Sequence, residues 1–201
     1  MSKKGLQRKS ASAVLAAIGM KLNAKNDSVV ILVEGDTDKR LFKKFFDDTK
    51  VSIEITYGKQ NLLEVIDLLH QNKLGRAVSF FAIKDANSDR ARKKENIKNL
   101  FLTDLSDVET MILNTSILDS VLSENAQEDK LKGKNILQIL LNEAKYLGSL
   151  RLINEIENLN LKFSEVIFSK FIDKSTLKLD VDKMIQTDLN FSKRNDLSII
   201  T

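Results

Sequence analysis

Between Ser28 and about Asn114, this 201-residue chain alternates short, unbroken apolar runs with longer stretches of helical periodicity. Val29–Val33 is apolar throughout, as expected of a strand covered on both faces. Residues 37–46 follow at helical spacing, with Leu41, Phe42, Phe45 and Phe46 on one side and Asp36 or Thr37 as N-cap. Residues 51–56 alternate apolar and polar side chains like a half-buried strand. Tyr57-Gly58-Lys59-Gln60 reads as a turn, and Asn61 can cap a helix running to Asn72 with Leu62, Leu63, Ile66, Leu69 and His70 on its stripe. Gly75 ends that segment, residues 77–83 form the next apolar strand, and 97–102 a fourth. Ser106 then opens a helix carrying Met111, Ile112 and Leu113. This order predicts an α/β domain: a mostly parallel sheet flanked by helices, with right-handed crossovers.

The flanks differ in character. Residues 1–27 pair Lys3, Lys4, Arg8 and Lys9 with an apolar run that Lys21 cuts short, which predicts an amphipathic helix over 6–22 packed on the sheet rather than a signal peptide. Residues 28–114 form the α/β domain, and 115–201 a mainly helical extension. Leu/Ile periodicity there predicts helices over 117–122, 135–147, 149–159 and 181–189, while 166–172 fits helix or strand. The apolar ending Ser198-Ile199-Ile200-Thr201 is compatible with truncation of a longer protein. No stretch approaches the roughly 18 apolar residues of a membrane span, so no membrane role and a cytoplasmic location are expected.

Composition narrows the chemistry. With no Cys and a single His, zinc ribbons, thiolate nucleophiles, disulfides and iron–sulfur clusters are excluded. Catalysis would have to come from carboxylates, Lys, Arg, Tyr, hydroxyls or a metal held by oxygen. The net charge of +4 is compatible with a nucleic-acid partner. Arg90, Arg92, Lys93, Lys94 and Lys98 form a basic run that is either a solvated face or a grip on phosphate.

Both apolar strands end on acids, in Glu34-Gly35-Asp36-Thr37-Asp38 and in Lys84-Asp85-Ala86-Asn87-Ser88-Asp89. If the strands are neighbours, Glu34, Asp85, Asn87 and Asp89 converge at one sheet edge as oxygen donors suited to Mg2+ or Mn2+. The plainer readings are that Glu34 starts a loop, that Asp36 caps a helix, and that 85–89 is a polar turn. Asp38 lies in a first helical turn, where an acid favours the dipole. Ser106 and Glu109 have capping-box spacing, which leaves Asp104 and Asp107 as secondary candidates. His70, on a helix stripe, reads as an interior or boundary histidine. Lys59 and Lys84 flank the same edge and are either phosphate-neutralising or ordinary surface lysines.

Together, Val33-Glu34-Gly35-Asp36-Thr37-Asp38, Gly58-Lys59-Gln60-Asn61, the loop from Lys84 to Asp89, and Leu102-Thr103-Asp104-Leu105-Ser106-Asp107-Val108-Glu109-Thr110-Met111 resemble the DUF4435 family in order and spacing. That family carries a toprim domain, the metal-binding α/β module of topoisomerases, primases and several nucleases. The resemblance spans Val29 to Leu113. It implies a toprim-like fold and a Mg-dependent endonuclease cleaving RNA (tRNA-like) or DNA, as the toxic effector of an anti-phage defence system. It also implies an ABC-type ATPase partner, and a homodimer is expected. Glu34 would be the general acid/base or metal-organising carboxylate, Asp85 and Asp89 the metal ligands, and Lys59 a catalytic lysine; Lys84, Arg90, Arg92, Lys93 and Lys94 would contact nucleic acid. Asn87 departs from the family pattern, which more often has Asp there, and lowers the charge of the ligand set by one. The alternative is a catalytically weakened toprim-like binding or regulatory module acting through the ATPase.

Overall fold

The computed structural model describes residues 9–24, 29–71, 78–87, 89, 96–163 and 167–192. The chain divides into two compact units, Met1–Ile112 and Leu113–Thr201. The first is an α/β layer built on four parallel strands: β1 (Val29–Val33), β2 (Val51–Ile55), β3 (Phe80–Lys84) and β4 (Leu100–Leu102), in the order β2-β1-β3-β4. In β1, Val30 and Leu32 point to one face and Ile31 and Val33 to the other, and all four are buried. A strand submerged on both faces needs a helical layer on each.

The first face is covered by α1 (Ala11–Ala24) and α3 (Lys59–Gln71). Ala11, Val14 and Ile18 of α1 pack with Leu62, Val65, Ile66 and Leu69 of α3 on Val30, Leu32, Phe80 and Ala82. The Lys21 ammonium reaches the largely buried Glu54 of β2 at 2.6 Å and fastens α1 to the sheet. The second face lies under α2 (Asp36–Phe42) and the turn after it, where Phe42 and Phe46 pack on Ile31, Val33 and Ile53. α2 links β1 to β2 on this face, and α3 links β2 to β3 on the other. The chain therefore leaves β1 in both lateral directions, and the strand order reverses between β1 and β3.

Several element boundaries differ from the sequence pattern. Gly35, not Asp36 or Thr37, is the N-cap of α2, and its amide donates to Asp38 Oδ2 at 2.8 Å. The helix ends at Phe42 instead of 46, and Phe45 is exposed. α3 begins at Lys59 because Tyr57 and Gly58 turn the chain in left-handed backbone (φ 64° and 120°), so Asn61 lies inside the helix and donates to the Lys9 and Thr56 carbonyls. Val65 joins the buried stripe, whereas His70 is exposed and rests against Phe80. β3 runs Phe80–Lys84; residue 77, the expected start, lies outside the described residues. β4 shrinks to three residues because Asn99 adopts a left-handed turn (φ 65°).

In the second unit the helices are α5 (Ile117–Asn125), α6 (Glu128–Leu131), α7 (Ile136–Ile156) and α8 (Val181–Phe191). The two helices expected over 135–159 are one 21-residue helix, α7. Gly148 inside it costs only about 1 kcal/mol, less than flanking packing supplies. Of the expected 166–172 element, the described residues 167–172 form neither continuous helix nor strand: a 3-10 turn at Phe168–Lys170 precedes an antiparallel bridge of Ile172 with Leu179. Leu150, Leu159, Leu161, Phe171, Met184 and Leu189 form this unit's core. Among the described residues, no helix is long and apolar enough to cross a membrane.

Candidate metal and phosphate site

The reversal of strand order falls at the carboxyl ends of β1 and β3, the place where open α/β sheets bind ligands. Parallel pairing of Val30 with Phe80, Ile31 with Phe81 and Leu32 with Ala82 brings Glu34 and Asp85 out of the sheet side by side. The Asp85 amide donates to the Glu34 carboxylate. The other Glu34 oxygen, Oε1, is buried and has no hydrogen-bond partner among the described residues. A buried, half-satisfied carboxylate is costly, and burial first, then the Asp85 charge, raises the Glu34 pKa above its ordinary value.

The strain on these acids is shared. Asp85 is also raised, by burial and then by the charges of Asp38 and Asp107, with Glu109 adding to them, although the Val108 amide donates to its carboxylate. Asp38 is raised by burial, against the Gly35 amide bond, with Glu109 opposing its ionisation. Thus Glu34, Asp38, Asp85, Asp107 and Glu109 make one electrostatically coupled acidic edge. Asp107 belongs to it while capping α4 (Val108–Leu113): its Oδ1 accepts from the Thr110 amide at 2.7 Å and from the Thr110 hydroxyl. The cap is therefore Asp107 and not Ser106, one residue later than the capping-box spacing predicts. Assigning Glu109 to that box is what hid it; it sits close enough to Asp38 and Asp85 to perturb both. Asp104 is exposed on the same loop.

The loop after β3 is stitched to the loop after β4. The Ala86 amide donates to Thr103 Oγ1 at 2.9 Å, and the Asn87 amide to the Ser106 carbonyl at 2.7 Å. Asn87 is exposed in left-handed backbone (φ 44°). Asp89 does not join Glu34. Its carboxylate is bound by Lys84 and by Lys59, the latter at 3.2 Å. Lys84 is 1% exposed, far from an ordinary surface lysine, and also donates to the Asp85 carbonyl at 3.0 Å. Lys59 arrives because the turn before α3 is tied to β1, the Gly58 amide donating to the Glu34 carbonyl at 2.9 Å.

Of the sequence-derived ligand set, the fold thus brings Glu34 and Asp85 together, sets Asp89 against two lysines, and leaves Asn87 at the surface. Among the described residues, no three Asp, Glu, His or Cys side chains are arranged to hold a metal ion. Arg90, Arg92, Lys93 and Lys94 lie outside the described residues; Lys98 is exposed. Compared with protein-family models, curated proteins and solved structures, the chain matches none.

Proposed function

We propose that this chain is a divalent-metal-dependent nuclease of toprim type, cutting phosphodiester bonds in RNA or DNA. One observation carries the reading: the coupled acidic edge at the β1/β3 crossover, with a buried Glu34 oxygen that has no partner among the described residues. Mutual repulsion among these partly buried carboxylates is relieved by a hard cation, and oxygen is the donor type the described residues offer there. The fit to Mg2+ or Mn2+ is one of donor chemistry, with Glu34 and Asp85 as the residues that would hold it.

A bound cation would polarise a phosphoryl oxygen. The chain's own groups supply the rest. Glu34, whose pKa burial and the Asp85 charge raise in the metal-free protein, would become the metal-organising carboxylate, since a bound cation favours its ionised form. Lys59 and Lys84 offset phosphate charge beside it. The sequence resemblance adds a role as toxic effector in phage defence, with an ABC-type ATPase as partner.

The test is incubation of the purified protein with total RNA, tRNA and plasmid DNA, with and without Mn2+. Metal-dependent cleavage that Glu34→Gln abolishes, with the fold intact by circular dichroism, is the expected result; no cleavage of any substrate sinks the reading. A second reading, a binding or regulatory module with weakened chemistry, draws on the lack of a ready three-donor group among the described residues. Calorimetric titration decides: no Mg2+ or Mn2+ binding at millimolar metal favours it.

A further inference from the structure

Lys59 and Lys84 come from separate elements, the first residue of α3 and the last of β3, yet both ammonium groups meet the Asp89 carboxylate. We infer that this lysine pair is a phosphate-binding site that Asp89 occupies in the free protein, so that a nucleic-acid phosphate and Asp89 compete for the same two cations. The inference rests on the nuclease reading for the identity of the ligand.

Three features support competition over a permanent ion pair. The pair is asymmetric: Lys84 is 1% and Asp89 7% exposed, but the Lys59 side chain is 36% exposed, so one side of the site opens to solvent. A cation as deeply buried as Lys84 needs an anion at all times, because an uncompensated buried charge is heavily penalised. A phosphodiester presents two anionic oxygens and one negative charge, as a carboxylate does. It can therefore replace Asp89 without leaving Lys84 unpaired. Finally, the loop is pinned at Ala86 and Asn87 by Thr103 and Ser106, with Asp89 following that anchor.

Binding is measured by fluorescence anisotropy of labelled single-stranded RNA and DNA oligonucleotides in EDTA. Asp89→Asn removes the internal competitor and should tighten binding about tenfold, the worth of one charge-assisted contact. Adding Lys59→Met to it should erase the gain, and Lys59→Met alone should weaken binding. Folded Asp89→Asn protein that binds no tighter overturns the proposal. Should Asp89→Asn not fold, Lys59→Met decides, and unchanged affinity there overturns it. Because the readout needs neither metal nor cleavage, a protein that shows this pattern but never cuts refutes the nuclease reading alone.

Discussion

Removing the Lys84 charge should destabilise the first unit more than any surface substitution. Lys84→Met keeps the stem's length and apolar contacts but deletes the ammonium. It removes the ion pair to Asp89 and the hydrogen bond to the Asp85 carbonyl, and leaves the 7%-exposed Asp89 with Lys59 as the cation seen at 3.2 Å. Taking one partner from a buried ion pair costs about 3–5 kcal/mol. The half-exposed Lys59 still offsets part of the Asp89 charge, so the loss belongs at the lower end, about 3 kcal/mol. Against a typical total stability of about 5–15 kcal/mol, that is a large fraction. The protein has two tyrosines and no tryptophan, and Tyr57 packs against the first unit's core. In a Tyr146→Phe background, tyrosine fluorescence therefore reports the first unit alone. With a urea m-value of about 1.5 kcal/mol/M, its midpoint should fall by about 2 M. Lys84→Met combined with Asp89→Leu should recover most of the loss, since replacing a buried pair by apolar groups is close to neutral. A Lys84→Met unfolding free energy within about 0.5 kcal/mol of the parent's, the scale of a surface change, would refute the claim that this charge is buried and paired.

Two further outcomes follow from carboxylates that are partly or fully buried. Glu34, Asp38 and Asp85 all have folded-state pKa values raised above their ordinary values. The folded state thus holds protons more tightly than the unfolded one. Their combined effect is that the first unit loses stability as pH rises from the ordinary carboxylate range through the raised values. Glu34→Gln should flatten that loss in urea melts run across pH; an unchanged pH slope refutes the coupling. In the second unit, Asp188 is 1% exposed, neither carboxylate oxygen has a hydrogen-bond partner among the described residues, and burial raises its pKa. Asp188→Leu should stabilise the protein at neutral pH by roughly 1–3 kcal/mol in thermal or urea melts, and destabilisation there would mean the carboxylate is satisfied after all.

The parts of the fold that could be read from the chain were those where one local pattern had one outcome. A five-residue apolar run ending in Glu34 leaves little choice but a central strand, and the Phe80–Lys84 run likewise. With helical spacing between strands, parallel pairing follows. Where two local solutions were equally good, the pattern misled. Ser106 and Asp107 both stand before α4 with cap-forming side chains, and only the backbone turn selects Asp107. Gly148 reads as a break, yet α7 runs through it because packing outweighs a small propensity cost. Period-two spacing in 85–89 pointed three side chains one way; the left-handed turn at Asn87 undoes that spacing.

The sequence by itself determined the α/β layering, the two acid-tipped central strands and the oxygen-only chemistry, because these depend on residue type and short-range period. Only the tertiary structure decided which acids share an edge. The strand order β2-β1-β3-β4 brings Glu34 to Asp85, and the chain's return over β4 brings Asp107 and Glu109 near them. Lys59, 30 residues from Asp89, meets it only because the turn before α3 is tied to the end of β1. Charge interactions fall with distance through space, not along the chain, and no local pattern encodes a partner that distant.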